Sequence, residues 1–224
     1  MAGDPHTFAR ERRDAKGPRR DGLRAAAGVA NRPHQRAVRY QRLAVVTDLT
    51  IEIAAHDPEW AVAYQREWTR LRDSLGEIAV RIDHVGSTSI PGIGAKPVID
   101  IQISVEALHP MDPYRERLAR VGYRHQPFPD DNSYPFFHKP HSWPHSHHVH
   151  VCVAHGDMEQ RHLAFCAYLR DHKDAAADYE QLKRSLARIH SAATMESRNA
   201  YSDAKSTFIR DIVTHALAEG YPRD

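Results

Sequence analysis

Cysteine is scarce in this chain, and long apolar runs are absent. The 224 residues include two cysteines, Cys152 and Cys166, and neither belongs to a CxxC pair. Two separated thiols make no disulfide framework, so a reducing cytosol fits best. No apolar run approaches the ~20 residues that a membrane-spanning helix needs. The sequence therefore predicts a cytoplasmic protein without a membrane segment.

A basic excess is also absent from the part that is expected to fold. The formal net charge is +2, but residues 1–46 alone hold eleven basic and four acidic side chains, which leaves the rest acidic. The folded part is therefore not expected to bind nucleic acid. Residues 1–44 show no apolar periodicity, which predicts a disordered, Arg-rich arm. We interpret this arm as an unstructured leader rather than a tether, and residues 45–224 as one folded domain.

The two common glycine-rich phosphate motifs are missing. The segment from Gly86 to Lys96 does not fit GxxxxGK[ST], because Pro97 follows the lysine, and its glycines lack the GxGxxG spacing. The sequence has instead the tetrapeptide GSTS, residues 86–89, after a predicted strand. Glycine permits a tight turn and close approach of a ligand, and the following amides and hydroxyls can bind an anion. The alternative interpretation is a structural turn capped by Ser and Thr.

A carboxylate that could hold a metal ion follows this turn along the chain. Asp100 comes thirteen residues after Ser87, on a predicted strand that alternates apolar and polar residues. A turn that holds phosphates and a strand carboxylate that holds Mg²⁺ are the two parts of metal-assisted phosphoryl chemistry. This arrangement resembles that of polymerase-β-type nucleotidyltransferases, in which a second carboxylate follows two residues later on the strand. Gln102 occupies that position here, which disfavours ordinary two-metal catalysis.

Histidine is abundant, with seventeen residues in the chain. His148 and His150 alternate with valines on a predicted strand, so both project from one face. Such a pair can ligate a metal or bind phosphate, although a histidine-rich wet sheet face is an equal alternative. The same region contains His138, His141, His145 and His147. Pro140 and Pro144 prevent His141 and His145 from pairing on one helix, so a dedicated zinc site is not expected.

Hydrophobic periodicity predicts an α/β (α+β) fold with a helical C-terminal part. Residues 125–146 are rich in Pro, His and aromatics and are predicted to be a long loop that shapes the substrate pocket. The predicted strands are 50–54, 80–85, 97–105 and 147–154, and the predicted helices are 57–75, 113–121, 158–170, 174–189 and 201–218.

Several motifs resemble the GrpB family in order and spacing, over roughly Thr50 to the C-terminus. They are DPxW at residues 57–60, HVGSTSIPGIGAKPVIDI at 84–101, HHVHV at 147–151, RHLxFxxYLR at 161–170, YxxLK at 179–183 and YxxxK at 201–205. The resemblance implies a nucleotidyltransferase-like mixed β-sheet flanked by helices. It also implies a role for each matching residue. Gly86, Ser87, Thr88, Ser89, Lys96, Lys183 and Lys205 would bind phosphate, and Asp100, His148 and His150 would hold metal or act in catalysis.

Three functions remain open at this point. The first is transfer of a nucleotidyl or phosphoryl group from an NTP to a small acceptor with Mg²⁺. The second is a binding module for a nucleotide or coenzyme A-type phosphate ligand, without transfer chemistry. The third is a repurposed pocket in which His148 and His150 do acid–base or metal chemistry. The sequence indicates neither the acceptor nor the oligomeric state, and a solvated surface position is the competing interpretation for Lys183.

Overall fold

The computed structural model describes residues 49–127 and 134–223. The predicted arm, residues 1–44, and the middle of the predicted loop lie outside the described residues. Six α-helices and five strands occur in the described part. The helices are α1 Glu59–Leu75, α2 Asp112–Arg120, α3 Asp157–Asp171, α4 Lys173–Ile189, α5 Met195–Ala204 and α6 Ser206–Ala218. The strands are β1 Arg81–Val85, β2 Ile99–Val105, β3 Arg124–His125, β4 Phe136–Lys139 and β5 His147–Val153.

The five strands form one mixed sheet in the order β1-β2-β5-β4-β3. The central pair β2 and β5 is parallel, and the other pairs are antiparallel. In the register of the central pair, Asp100 lies opposite His148 and Gln102 lies opposite His150. Paired residues project from the same face of a sheet, so these four side chains share one face. The fold class predicted from the sequence, a mixed sheet flanked by helices, is confirmed.

The other face of the sheet builds the main core. Ile99, Ile101 and Ile103 alternate with the polar residues of β2 and are almost completely buried. They belong to one cluster with residues of α1 and α2, including Leu71 and Leu118. Helix α1 begins at Glu59, close to the predicted start, and the Asp57 side chain accepts a hydrogen bond from the Glu59 N–H at 2.9 Å. The apolar alternation of β2 therefore leaves its opposite face free for polar residues.

A second cluster joins the end of β1 to the C-terminal helices. Val85 and Ile90 pack with Phe165 of α3, Tyr179 of α4 and Val213 of α6. The segment between β1 and β2 is thereby held against three helices. Among the described residues, no helix is long and apolar enough to span a bilayer.

Three predictions of secondary structure are wrong. Residues 50–54 form no strand and make one isolated bridge between Ala54 and Ala95. The apolar alternation of this segment goes with the burial of Ile51. The Ile53 and Leu49 carbonyls accept hydrogen bonds from Arg184 and Arg198, so these carbonyls are not used by a sheet.

The predicted loop 125–146 contains β4 and the end of β3, which pair as a hairpin. Phe137 in β4 is completely buried. Flanking prolines and the histidine-rich composition hide so short a strand from a pattern analysis.

The predicted single helix 201–218 is two helices that meet at Lys205. The break lets α5 pack on α4 while α6 packs on α3. One straight helix could not make both contacts.

Candidate functional site

The turn after β1 and the start of β2 touch each other directly. Gly86 has a φ of 69°, in the left-handed region. A Cβ atom at this position would lie 2.5 Å from Asp100 Oδ2. Any side chain at residue 86 would therefore collide with the carboxylate. Glycine is required here both for its backbone conformation and for this close approach, so the turn and Asp100 form one structural unit.

The hydroxyl groups of Thr88 and Ser89 are used inside the turn. Thr88 Oγ1 donates to the Val98 carbonyl at 3.3 Å and lies 3.0 Å from His84 Nε2. Ser89 Oγ donates to the Gly86 carbonyl at 2.8 Å. Both residues are buried. The structure therefore gives these two predicted phosphate ligands a role in the shape of the turn.

Backbone amides remain available on the turn. The N–H groups of Ser87 and Thr88 donate hydrogen bonds to none of the other described residues. The Ser87 side chain is half-buried and faces Tyr179. Burial raises the pKa of Tyr179 to about 12, against a hydrogen bond with Ser87 that lowers it. Two amides that have no partner among the described residues, beside a carboxylate, can bind a phosphate oxygen and present it to a shared cation.

Asp100 is ionised at neutral pH. His148 Nδ1 donates to its Oδ1 at 3.1 Å. Burial alone would raise the pKa of Asp100, but this hydrogen bond and the nearby positive charge of Lys205 help to hold it below its ordinary value. The carboxylate therefore offers a negative charge to a cation in the site.

A string of histidines leads away from Asp100. His148 Nε2 lies 3.3 Å from His145 Nδ1, and the His145 ring stacks on that of His138 at 3.8 Å between centroids. Burial lowers the pKa of His145 to about 3 and that of His150 to about 3. These two rings are therefore neutral at pH 7. His150 Nδ1 is buried without a partner among the described residues.

Helix α3 adds a histidine that the sequence analysis did not select. His162 Nδ1 donates to Gln102 Oε1 at 2.8 Å, and the Tyr134 hydroxyl lies 2.8 Å from the same nitrogen. Gln102 is completely buried, and its Nε2 has no described partner. His162, Cys166 and Arg170 follow at intervals of four on α3. That helical spacing was the signal that could have identified a face directed at the site.

Lysines lie close enough to Asp100 to interact with its charge. The ammonium groups of Lys96 and Lys205 lie 4.3 and 4.5 Å from the centroid of the Tyr201 ring. Burial, together with the charges of Lys205 and Arg198, lowers the pKa of Lys96 to about 7. Burial also lowers the pKa of Lys205, against the charge of Asp100. These cations are thus close enough to repel one another, and an anion bound between them would relieve that repulsion.

Lys183 is buried, at 2% exposure, so its interpretation as a solvated surface residue is wrong. Its ammonium donates to the Gly94 carbonyl and lies 4.7 Å from the Tyr179 ring centroid. Burial and the charge of Lys205 lower its pKa to about 7. Lys183 therefore belongs to the same group of cations and also holds the loop before β2.

One carboxylate limits which metal the site fits. Within residues 49–127 and 134–223, no group of three or more His, Cys, Asp or Glu side chains is arranged to hold a metal ion by itself. Mg²⁺ is commonly held by one or two carboxylates together with substrate phosphates and water. Asp100 beside the free amides fits a Mg²⁺ that is shared with a phosphate ligand. Ligation by His148 or His150 stays a prediction.

Comparisons with known proteins agree with this architecture. The family model "GrpB protein" matches residues 50–215. A crystal structure of the conserved protein GrpB from Enterococcus faecalis superposes with a TM-score of 0.66 at 30% identity, over 75% of this chain and 98% of that chain.

Two relatives are longer proteins. The UPF0157 protein YqkA of Bacillus subtilis is 32% identical over 71% of this chain and 45% of its own length. A dephospho-CoA kinase of Mycolicibacterium paratuberculosis is 36% identical over 60% of this chain and 39% of its own length. The chain thus spans about half or less of each of these two relatives. From the extent of the family match and the E. faecalis structure, the chain belongs to the GrpB family.

Proposed function

We propose that the protein transfers a nucleotidyl or phosphoryl group from a nucleoside triphosphate to a small acceptor, with Mg²⁺. The observation that carries this proposal is the contact between the Gly86 turn and Asp100. It places the turn, whose Ser87 and Thr88 amides have no partner among the described residues, against an ionised carboxylate. Few structural roles require unpaired donors, a carboxylate and buried lysines in one place, because each is costly to bury without a ligand.

Each group has a distinct task in this reaction. The turn amides bind phosphate oxygens, and Lys96 and Lys205 neutralise the charge of the polyphosphate. Asp100 would hold Mg²⁺, which when bound polarises the phosphoryl oxygens and orients the leaving group. In nucleotidyl transfer the acceptor oxygen bonds to the α-phosphorus and pyrophosphate leaves. In phosphoryl transfer it bonds to the γ-phosphorus and the nucleoside diphosphate leaves. In both cases the acceptor proton passes to water.

A thermal-shift screen followed by a product assay tests the proposal. Nucleoside triphosphates should raise the melting temperature with Mg²⁺ and do so less without it. A ligand at about 100 times its Kd stabilises the fold by roughly 2.7 kcal/mol. Product formation should disappear in Asp100→Asn while circular dichroism stays unchanged. An unaffected rate in that variant, measured by release of pyrophosphate or nucleoside diphosphate, would reject the transferase proposal.

A second candidate is a binding module for a nucleotide or coenzyme A-type ligand without transfer. Gln102 favours it, because a neutral amide held by His162 occupies the strand position two residues after Asp100. The partial similarity to a dephospho-CoA kinase supports the choice of dephospho-coenzyme A as a probe. Binding of this probe should survive EDTA. If EDTA abolishes it, the metal-dependent transferase is the better account.

A further inference from the structure

Arg170 contacts the turn from the side of α3. Its Nε donates to the Ser89 carbonyl at 3.0 Å, and its Nη2 donates to the His84 carbonyl at 3.3 Å and to Ser89 Oγ at 3.0 Å. One guanidinium thus bonds to the chain before and after Gly86. The planar fork of arginine suits such multiple bonding better than the single ammonium of lysine.

Ser89 connects Arg170 to the peptide between Gly86 and Ser87, whose N–H is proposed to bind phosphate. Its Oγ accepts from Arg170 and donates to the Gly86 carbonyl at 2.8 Å. In a planar trans peptide, the carbonyl of one residue and the N–H of the next point in opposite directions. Fixing the Gly86 carbonyl toward Ser89 therefore fixes the Ser87 N–H away from it, where it donates to none of the described residues.

We propose that Arg170 is a positioning residue that, through Ser89, aims the Ser87 N–H at the phosphate of the ligand. This inference rests on the proposed function, since it assigns a support to the same phosphate site. Cys166, one helical turn before Arg170, packs behind the same turn and is buried beside Ser89 and Gly86. Helix α3 thus supports the turn along two successive helical turns.

Variants of Arg170 test the proposal against a matched control. Arg117 makes the same kind of bond elsewhere, donating to the Leu75 carbonyl at 2.8 Å at the end of α1. Calorimetry of the full chain with Mg²⁺ and inorganic tripolyphosphate, well below the melting temperature, measures the affinity. Arg170→Ala should lower it about tenfold or more, since small misplacements of this kind are expensive. Arg170→Lys should lie between that variant and wild type, and Arg117→Ala should stay within about twofold of wild type.

A double-variant cycle with Ser89→Ala separates positioning from direct contact. If Arg170 acts through Ser89, the loss of affinity in the double variant should be well below the product of the two single losses. Losses that multiply in full would mean that Arg170 acts independently of the Ser89 hydroxyl, and would overturn the proposal. Wild-type affinity in Arg170→Ala would overturn it as well.

Amide hydrogen exchange gives a readout that needs no ligand. Exchange at Ser89 and Ile90, whose N–H groups donate to the Gly86 and Ser87 carbonyls at 3.2 and 3.3 Å, should accelerate in Arg170→Ala and stay unchanged in Arg117→Ala. Unchanged exchange at the turn in Arg170→Ala would contradict positioning. If wild type fails to bind tripolyphosphate at all, the proposed function fails, and the exchange result alone then decides whether Arg170 shapes the turn.

Discussion

Gly86 combines two constraints that can be separated experimentally. Its left-handed φ of 69° is costly for any other residue, and its Cα faces Asp100. Gly92 has a φ of 87°, but a Cβ atom added there would meet nothing within 4 Å, so it carries the first constraint without the second. The pair therefore distinguishes backbone strain from steric conflict with the carboxylate.

Gly86→Ala should destabilise the protein by about 2–4 kcal/mol, because strain in the turn adds to the collision with Asp100. Gly92→Ala should cost about 1 kcal/mol from strain alone. Urea denaturation measures both values. Gly86→Ala should also lose binding of Mg²⁺-tripolyphosphate, while Gly92→Ala should keep it. Equal losses of stability in the two variants would contradict the contact with Asp100.

The lysine group should respond to pH in two opposite ways. The pKa of Lys96 and that of Lys183 are lowered to about 7 in the free protein. Between about pH 7 and 10 the unfolded chain then binds more protons than the folded protein, so the contribution of these lysines to stability rises with pH. A bound polyphosphate favours the charged lysines, so its binding takes up protons and weakens as pH rises above 7.

Calorimetry in buffers of different ionisation enthalpy measures this proton uptake. Wild type should take up protons on binding tripolyphosphate at pH 7.5, and Lys96→Gln should take up fewer and bind about tenfold more weakly. The exposed Lys173, whose substitution to Gln serves as control, should leave both quantities unchanged. Proton release on binding by wild type would contradict the assigned direction of these pKa shifts.

Among the secondary-structure elements, β4 contributes to both faces of the sheet, although its composition predicted a loop. Phe137 is completely buried in the main core, whereas its neighbour Phe136 is half-buried beside His148 and His150. Adjacent strand residues face opposite sides of a sheet, so the two phenylalanines test the two faces separately.

Phe137→Ala should lower the free energy of unfolding by about 3–5 kcal/mol, as expected for a large cavity in a packed core. Phe136→Ala should cost roughly 1–2 kcal/mol, because its ring is only partly withdrawn from water. Chemical denaturation gives both values. Similar, small losses in the two variants would mean that residues 136–139 behave as the loop that the composition predicted.

For the whole molecule, buried histidines predict a pronounced sensitivity to acid. Burial lowers the pKa of His84, His147 and His162 to about 4, and that of His145 and His150 to about 3. Between pH 6.5 and about 4 the unfolded chain binds protons that the folded protein does not. Stability is therefore fully present above pH 6.5 and is lost as pH falls below it.

Denaturation curves from pH 7.5 to 4.5 should show this loss. Each histidine that stays neutral in the fold contributes a slope of at most about 1.4 kcal/mol per pH unit, so several together give a steep decline. His145→Gln should reduce the slope, because it removes one of the buried neutral rings. A stability that is flat across this range would contradict the buried, neutral state of these rings.

Sequence patterns alone were sufficient for the strongest local features. The alternation at residues 97–105 predicted β2 and the face of Asp100, and the motif from His84 to Ile101 led to the family. Both depend on neighbours a few residues apart, so periodicity and spacing carry them directly. Long helices with one apolar face, such as α3 and α4, were predicted within two residues of their ends for the same reason.

Only the tertiary structure decided which distant residues meet. Arg170 reaches His84 and Ser89, Lys183 reaches Gly94, and His162 reaches Gln102, across separations of 60 to 89 residues. No local pattern encodes such contacts, because they depend on how the C-terminal helices pack across the sheet and the turn. The hydroxyls of Thr88 and Ser89 are a second example of what sequence patterns do not reveal. The sequence places hydroxyl donors in the turn, but packing determines which of them a ligand can reach. The sequence by itself thus determined most of the elements and the family, and the packing of α3 to α6 brought the residues of the candidate site together.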